Sequence, residues 1–299
     1  APIPVNVIFD KIKSFQGKLA FVGLPDQIAS LRYIQNQNIE WAKKIKYVFG
    51  PYVGTNMYSE SIKSFLRSNG YKNLGDISKL KYRDGEWPGH LKIDMKDGNV
   101  LKAEKFYYNY LIPFYITNSS LLSTDFTNEL TDISVGDAWN PKYENLGKGF
   151  SVIISRSKLG EDLLKEMKRK NLIKLDSINL EETLSMHGHM LDFKKRGSFI
   201  RYKFRRLFGK NVPDFGYSPK TIDFKRIVVE LFISSVFYFS SLKFIRFILT
   251  FIPINIIGPF FNFMRVSWKN ASRSIKRKDL DSYKVLIHEE KKINNIILH

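Results

Sequence analysis

The feature that most restricts the fold is a repeated order of apolar strand, turn and helix in the first part of the chain. Residues 18–22 (KLAFV) form a short apolar run, a Gly-Leu-Pro-Asp turn follows, and residues 27–36 carry apolar side chains at helical spacing. Residues 46–49 (KYVF), a Gly-Pro turn and residues 59–68 repeat this order. Because such alternation places helices over a sheet, it predicts an α/β fold, with α+β as the alternative, built on a mixed β-sheet flanked by helices.

Further runs extend this sheet. Residues 91–94 and 100–103 are joined by an Asp-Gly turn and predict a β-hairpin. Residues 151–155 have the character of another strand, and residues 160–170 have the spacing of a helix. Residues 132–139 read Asp-Ile-Ser-Val-Gly-Asp-Ala-Trp, where apolar and polar side chains alternate up to the glycine, so a short strand is predicted to end there.

The end of that strand is the first candidate ligand site. It contains Asp132, Ser134, Gly136, Asp137 and Trp139. A glycine lets the main chain approach a ligand, a carboxylate accepts hydrogen bonds from it, and an indole covers a ring face. The alternative is a strand that ends in an Asp-capped turn over a core tryptophan. The octapeptide alone leaves both interpretations open.

A second candidate lies at the start of the first helix. Gly23 and Pro25 stand where free N–H groups and the helix dipole attract an anion. Asp26, in the first turn of that helix, can instead satisfy the same donors. A glycine-rich loop over residues 145–151 carries one cation but lacks the spacing of a P-loop.

A third loop combines a cation with aromatic side chains. It contains Tyr82, Arg83, Trp87, Pro88 and Gly89. The arginine can bind a phosphate through two parallel hydrogen bonds, while the Trp-Pro pair forms a rigid apolar platform. An ordinary turn with a surface arginine is the alternative. Together the three loops could hold a planar ligand that carries phosphate.

The chain has no cysteine, which excludes disulfides, thiol nucleophiles and cysteine-ligated metal clusters. His187 and His189 could bind a metal from one loop, but no carboxylate cluster accompanies them, so no metal site is predicted. No catalytic residue is assigned. The net charge of +19, from 48 basic and 29 acidic residues, predicts an anionic partner: membrane lipid, nucleic acid or a phosphorylated ligand.

Basic and apolar residues are segregated in the last third of the chain. Residues 191–210 hold eight basic side chains and one acidic, and residues 265–278 hold six basic and none acidic. Residues 227–264 between them are strongly apolar, but Pro253 and Pro259 break the run before it reaches the roughly 20 residues of a spanning helix. This pattern predicts two or three helices lying in an anionic membrane surface. A helical subdomain packed on the main domain and a true span are the alternatives.

We accordingly predict an α/β domain over residues 1–190, a basic linker over 191–226 and an amphipathic helical, membrane-surface region over 227–299. Nucleic-acid binding is disfavoured, because aromatic side chains of the tail cluster with Ile and Leu and do not alternate with cations. The first ten residues lack the basic start and apolar core of a secretory signal, so a cytoplasmic, peripheral membrane protein is expected. A start at Ala1 rather than Met suggests a fragment or a trimmed chain.

The motifs occur in an order that resembles a known family. Residues 23–28 (Gly-Leu-Pro-x-Gln-Ile), 82–89 (Tyr-Arg-x-Gly-x-Trp-Pro-Gly), 132–139 and 148–151 (Lys-Gly-Phe-Ser) resemble the C-terminal domain of the coenzyme F420 hydrogenase/dehydrogenase beta-subunit family. The resemblance covers about residues 6–191. It implies an iron–sulfur flavoprotein that passes electrons between clusters, FAD and a redox substrate such as the deazaflavin coenzyme, with an electron-donor protein subunit as partner.

The resemblance breaks down where the family holds iron. The family pattern has cysteines at positions that here are Asp26, Val53, Ser120 and Ser123, and its Cys-rich ferredoxin-like segment has no counterpart in this sequence. Clusters are held by soft, charged thiolates, which these side chains do not replace. The resemblance therefore implies FAD as cofactor and no iron–sulfur cluster.

The leading hypothesis is a flavin-dependent oxidoreductase domain. Arg83 would pair a phosphate or the charge of a reduced ring, Trp87 and Trp139 would flank the ring system, and carboxylates would accept hydrogen bonds from it. The alternative is a non-catalytic relative that has lost its redox centres and acts at a membrane surface, for example in polysaccharide synthesis. The expected cofactor-binding residues are Gly23, Pro25, Tyr82, Arg83, Trp87, Pro88, Gly89, Asp132, Ser134, Gly136, Asp137 and Trp139.

Overall fold

The computed structural model of the chain describes residues 7–104 and 107–288. Its strands are β1 Leu19–Val22, β2 Ile45–Pro51, β3 Ile77–Asp84, β4 His90–Met95, β5 Val100–Ala103, β6 Ile133–Asp137, β7 Ser151–Ser155, β8 Tyr217–Pro219 and β9 Val285–Ile287. Its α-helices are α1 Val7–Ser14, α2 Pro25–Asn36, α3 Glu40–Lys43, α4 Glu60–Ser68, α5 Leu111–Tyr115, α6 Asn118–Leu122, α7 Pro141–Glu144, α8 Lys158–Arg169, α9 Leu180–Asp192, α10 Ser198–Leu207, α11 Phe224–Ser240, α12 Lys243–Leu249 and α13 Ile254–Arg277.

The predicted mixed sheet is present. Its order is β1-β2-β6-β7, with β1, β2 and β6 parallel and β7 antiparallel to β6. The predicted hairpin is β4–β5, and β3 joins it as a third antiparallel strand. The predicted strands and helices of the first 170 residues agree with the observed ones to within two residues at each end. The predicted α/β class is therefore confirmed.

The parallel strands pack against amphipathic helices on one face. Phe21 of β1 and Val48 of β2 pack in one cluster with Ile28 and Leu31 of α2. Val48 and the two α2 residues are fully buried. Because β1, β2 and β6 are parallel, their carboxyl ends meet at one edge of the sheet. We refer to this edge, where residues 23, 51 and 137 lie, as the carboxyl edge; ligands commonly bind at such edges in open α/β sheets.

A second core joins the small sheet to the C-terminal helices. Leu91 and Ile93 of β4 pack with Phe65 of α4, and the same cluster includes Leu249 of α12 and Ile257 of α13. Every second residue of β4 is buried, which gives one face of the hairpin to this core. Helices α12 and α13 therefore share a core with the part of the chain that carries the family motifs. The predicted division at residues 190 and 226 stays a prediction.

The stretch predicted as a basic linker contains much of the buried charge. A π-helical turn, Phe193–Gly197, joins α9 to α10; Lys194 and Arg196 are buried in this turn, and Arg201 is buried on α10. The side chain of Lys194 is 1% exposed, and its ammonium donates to the carbonyl of Ser120 over 2.7 Å. Cations of this stretch are thus used inside the fold as well as at its surface.

Five buried charges connect α9, α10 and α11. Asp192 accepts hydrogen bonds from Arg196 over 2.6 Å and from Arg226 over 2.8 Å. Glu230 accepts from Arg226 over 2.9 Å and also from Arg201. Since a buried charge is tolerated only when it is paired, this network explains the glutamate within the largely apolar part of α11 that follows Arg226.

The apolar region forms three helices, where two or three were predicted. Pro253 stands just before α13 and separates it from α12. The prediction that Pro259 also breaks a helix is wrong: it lies in the second turn of α13, where its missing N–H leaves only the carbonyl of Asn255 without its helical donor. None of the helices within residues 7–104 and 107–288 has both the length and the apolar composition of a membrane span. Among these helices, only α11 and α12 taken together reach that length and composition, and their axes are bent by 74° relative to each other.

Candidate functional site

The candidate site lies at the carboxyl edge, where β6 ends beside the loop between β3 and β4. Arg83, near the end of β3, donates from Nη2 to Oδ2 of Asp137, the last residue of β6, over 2.6 Å. The two side chains are 44% and 37% exposed, so a dissolved ligand can reach both. Two of the sequence motifs therefore meet at an accessible ion pair.

Two indoles lie beside this ion pair. The rings of Trp87 and Trp139 have centroids 4.9 Å apart and planes inclined by 36°. The guanidinium carbon of Arg83 is 5.4 Å from the ring centroid of Trp139. Both indoles are half-buried, and they present an apolar surface with a cation at its edge. Such a surface is suited to a planar ligand that carries negative charge.

The glycine-rich loop completes the group. A Cβ atom at Gly149 would lie 3.0 Å from Cδ1 of Trp87, so any larger residue there would require the indole to shift. Gly89 has a φ of 69°, in the left-handed region that glycine favours, and Pro88 follows a cis peptide bond. Tyr82 is exposed on β3. We call Arg83, Trp87, Asp137, Trp139 and Gly149 the indole cradle.

The carboxylate of Asp132 is buried and accepts hydrogen bonds from other residues of the fold. Its Oδ2 accepts the main-chain N–H of Val48 over 2.8 Å, and its Oδ1 accepts the hydroxyl of Ser157 over 2.7 Å. Arg32 lies 3.4 Å from the same carboxylate. The residue therefore connects β2 to the start of α8 and lies apart from the indole cradle.

Ser134 and Gly136 also face the protein interior. The hydroxyl of Ser134 accepts a hydrogen bond from Arg156 over 2.6 Å. A Cβ atom at Gly136 would lie 2.1 Å from the ring of Tyr52, so the glycine makes room for that ring. Three of the five candidates in the octapeptide are thus engaged by other side or main chains, and Asp137 and Trp139 are the two in the cradle.

Gly23 and Pro25 lie at the neighbouring strand end. A Cβ atom at Gly23 would be 2.9 Å from Cδ1 of Ile28, and the Gly23 carbonyl accepts the amide of Asn128 over 2.8 Å. The N–H of Leu24, one donor that the anion-site interpretation requires, is bonded to the side chain of Gln27 over 2.9 Å. This turn is closely packed by its own neighbours.

His187 and Tyr52 lie behind the cradle and were not predicted as part of a binding site. Burial lowers the pKa of the His187 imidazole to about 4, while the main chain and the charge of Asp137 act in the opposite direction, so the imidazole is neutral at pH 7. The Tyr52 ring packs edge-on at 5.4 Å, and burial raises its pKa to about 12. Nε2 of His187 and the hydroxyl of Tyr52 are buried without a hydrogen-bond partner in the described structure.

The sequence contains only weak indications that Tyr52 and His187 lie near a binding site. Tyr52 directly follows the Gly-Pro turn at the end of β2, and this position at a strand end could have identified it. His187 was considered only as a metal ligand. The described residues contain no group of three or more histidines or carboxylates that could hold a metal ion. Its place on α9, against the end of β6, depends on the tertiary fold.

Ser120, one of the positions at which the resemblance implies cysteine, lies in a polar region away from the indole cradle. The hydroxyl of Ser120 accepts the main-chain N–H of Asn56 over 2.7 Å. The Lys194 ammonium lies on the carbonyl of the same serine. Burial lowers the pKa of this lysine to about 7, while the charges of Asp26 and Asp125 act in the opposite direction. Hydroxyl, carboxylate and amine groups, without thiolates, do not fit an iron–sulfur cluster.

The sequence matches a family described as the C terminus of the coenzyme F420 hydrogenase/dehydrogenase beta subunit, over residues 16–181, which is more than half of the chain. The chain belongs to this family. The matched residues include the whole indole cradle, whereas α10 to α13 lie outside them.

Individual relatives share between 18% and 30% sequence identity with this chain. A coenzyme F420-dependent sulfite reductase of Methanocaldococcus jannaschii is 30% identical to this family member over an alignment of 183 positions, which covers 55% of the chain and 25% of the reductase. An uncharacterised protein of the same organism is 24% identical over 175 residues, 58% of the chain and 60% of that protein. A chain in the structure of an F420-reducing NiFe hydrogenase complex from Methanosarcina barkeri aligns with a TM-score of 0.47 and 18% identity, covering 66% of this chain and 65% of that one. The chain therefore spans only part of the curated relatives it matches.

Proposed function

We propose that this family member is a flavin-dependent oxidoreductase domain that binds FAD without an iron–sulfur cluster. The observation that carries the proposal is the indole cradle, in which Arg83 and Asp137, 54 residues apart in sequence, meet beside two indoles that pack on each other. Such a combination of cation, accessible carboxylate and aromatic faces suits a phosphate-bearing planar cofactor.

Each cradle residue has a distinct role in this proposal. Arg83 would pair a phosphate or the charge of a reduced ring, and Asp137 would accept hydrogen bonds from the cofactor. Because Trp87 and Trp139 pack on each other, they would together offer one apolar surface to the ring system and would not enclose it from both sides. The glycine at position 149 would let the loop main chain approach. A bound flavin would supply transfer of a hydride or of single electrons. Asp132 and Ser134 would support the sheet behind the site.

Membership of the family extends the proposal to partners. We infer that the redox substrate is a deazaflavin coenzyme, by relation to a family named for coenzyme F420 and to an F420-dependent sulfite reductase. An electron-donor protein subunit would deliver electrons, because the polar region at Ser120 and Lys194 offers no ligand for a cluster of its own. The iron-free character is supported by this side-chain chemistry.

The exposed C-terminal helices support attachment to an anionic membrane from the cytoplasmic side. Phe244, Phe247 and Phe263 are 70%, 60% and 71% exposed, and they lie on α12 and α13. Basic side chains such as Lys243 and Lys269 stand on the same helices and would attract anionic lipids. In this proposal the helices pack on the domain with one face and insert shallowly with the other.

A second candidate function is a non-catalytic protein at the membrane surface, for example in polysaccharide synthesis. The observation that favours it is the buried Lys194–Ser120 contact at the positions where the family carries cysteine. In that case the exposed aromatic helices would remain functional and the cradle would hold no redox cofactor.

The deciding experiment is titration of the purified full chain with FAD, followed by flavin fluorescence and visible absorption. The proposal expects saturable binding and flavin bands without a broad iron–sulfur absorption, together with iron and sulfide far below one equivalent. A protein that takes up no FAD would reject the flavin proposal and favour the second candidate. Stoichiometric iron and sulfide would reject the cluster-free form.

A further inference from the structure

Four cations follow one another at four-residue intervals along α13. They are Arg265, Lys269, Arg273 and Arg277, which we call the cation row. Residues four apart are neighbours on a helix surface, so the row follows one side of α13 for about 18 Å at 1.5 Å per residue. Like charges at this spacing repel each other, which makes the row unfavourable for the helix by itself. An anion bound along the row would offset that repulsion.

The head groups of the row act on one another in the folded chain. Partial burial lowers the pKa of Lys269, and the charges of the three arginines lower it further, against an opposing effect of Glu144. Burial and then the charge of Arg273 lower the pKa of Arg277. Lys269, Arg273 and Arg277 form no ion pair with a carboxylate within residues 7–104 and 107–288. The row therefore concentrates positive charge that the described fold does not pair.

A buried ammonium without a partner lies on the same side of α13. Lys276 follows Lys269 by two helical turns and is 7% exposed. Its ammonium lies 4.8 Å from the ring centroid of Trp268 and has no hydrogen bond or ion pair with any residue that the structure describes. Burial lowers its pKa to about 8, although the charges of Asp192 and Glu230 act in the opposite direction. Both carboxylates are bonded to arginines, so an additional anion would stabilise this buried charge.

Helix α9 packs beside the row and contributes a further polar group. Arg277 donates from Nη2 to the main-chain carbonyl of Ser185 over 2.7 Å, which holds its guanidinium against α9. His189, one turn later on α9, has a buried Nδ1 without a hydrogen-bond partner in the described part of the chain. Burial lowers the pKa of His189 to about 3, and the charges of Lys269 and Lys276 lower it further. The imidazole is thus neutral at pH 7 and can donate one N–H to an anion at the row.

The row is separate from the indole cradle. His187 and His189 are two residues apart on α9, so they point to different sides of that helix. His187 lies behind Asp137, whereas His189 lies beside α13. The row also lies outside residues 16–181, which carry the family match. An anion at the row would therefore be a second ligand, and its binding would not depend on the FAD that we propose for the cradle.

We propose that the cation row binds neighbouring phosphate groups, either of a dissolved oligophosphate or of adjacent phospholipid head groups. Arginine pairs with phosphate oxygens through two parallel hydrogen bonds, and three of the four cations are arginines. A ligand with a single phosphate would engage only one part of a row about 18 Å long, so a ligand with several phosphates fits better. The lipid source rests on the proposed membrane attachment, whereas the dissolved source does not.

The test is calorimetric titration of the full chain with sodium tripolyphosphate at low salt and without lipid. The wild type should bind it saturably and more tightly than orthophosphate. Lys269→Gln/Arg273→Gln removes two exposed cations of the row and should weaken binding on the order of tenfold. The matched control is Lys63→Gln/Arg67→Gln on α4, which removes two exposed cations at the same spacing and should leave the affinity unchanged.

A second readout locates the bound ligand. In NMR spectra the ring signals of His189 should shift when tripolyphosphate is added, and those of His90 should not. His90 lies against the cradle loop at Gly85, so a shift of its signals alone would place the ligand at the cradle and overturn the proposal.

A third assay distinguishes the two sources of phosphate. Loss of tripolyphosphate binding in the row variant identifies a dissolved ligand. Loss of co-sedimentation with vesicles of phosphatidylcholine and phosphatidic acid, in a protein that does not bind tripolyphosphate, identifies lipid head groups. Equal weakening by the row variant and the α4 control would indicate general charge attraction and overturn the proposal, as would a row variant that equals the wild type in both assays.

Discussion

Replacing Glu230 by glutamine tests whether α11 packs on α9 and α10 through the buried ion network. The side chain keeps its size but loses the negative charge that lies between the guanidinium groups of Arg201 and Arg226. All three residues are at most 6% exposed. The substitution therefore leaves positive charge buried with too few anionic partners.

The expected loss of unfolding free energy depends on which ion pairs remain after the substitution. Removing one partner of a buried ion pair costs about 3–5 kcal/mol. Arg226 keeps Asp192 at 2.8 Å, so we expect the lower end, about 3 kcal/mol of unfolding free energy. The side chain at position 230 has little room to move, because the backbone of the π-helical turn lies close to it. A Cβ atom at Gly197 in that turn would be only 2.7 Å from Oε2 of Glu230.

The assay is urea denaturation followed by far-ultraviolet circular dichroism, with Glu161→Gln as the control. Glu161 pairs with Lys165 on α8 with side chains 50% and 65% exposed, so its loss should change the midpoint little. If Glu230→Gln were no more destabilising than the control, the ion network would not be buried. Helix α11 would then not pack on α9 and α10, and the interpretation of the apolar region as partly core would be refuted.

Three further predictions address the site and the membrane. Arg83→Ala should weaken FAD binding by about 1.5 kcal/mol, roughly tenfold, because an accessible charge-assisted contact is lost, whereas Arg67→Ala on α4 should not; equal dissociation constants would remove Arg83 from the site. Because the pKa of His187 is lowered from 6.5 to about 4, the unfolded chain binds more protons between these values and stability should fall as the pH falls. His187→Gln should reduce that slope by about 1.4 kcal/mol per pH unit, and an unchanged slope in urea titrations at several pH values would show that the imidazole is not buried. Co-sedimentation with anionic vesicles should decrease with rising salt and in Phe247→Ser; salt-independent exclusion of the wild type from vesicles would contradict surface attachment.

Local patterns determined the secondary structure. The apolar run before Gly23, the alternation over residues 132–136 and the Asp-Gly turn near residue 98 each have one favoured local structure, and the chain adopts it. Glycine spacing and motif order were likewise enough to identify the family, because these features depend on main-chain geometry that neighbouring residues set. In the apolar region the same local signals predicted two or three helices, and the break before α13 at Pro253 was among those predicted.

The tertiary structure decided which polar residues serve a site. Asp132 and Asp137 are five positions apart around one strand, so their side chains point to opposite faces: one joins β2 to α8 and the other meets Arg83. Basic residues 191–210 looked like a linker, yet Arg196 and Arg201 are buried because carboxylates of α9 and α11 come within hydrogen-bond distance. Charge and polarity in the sequence show that a group needs a partner; only the packing of distant elements determines whether that partner is another residue, a cofactor or a lipid.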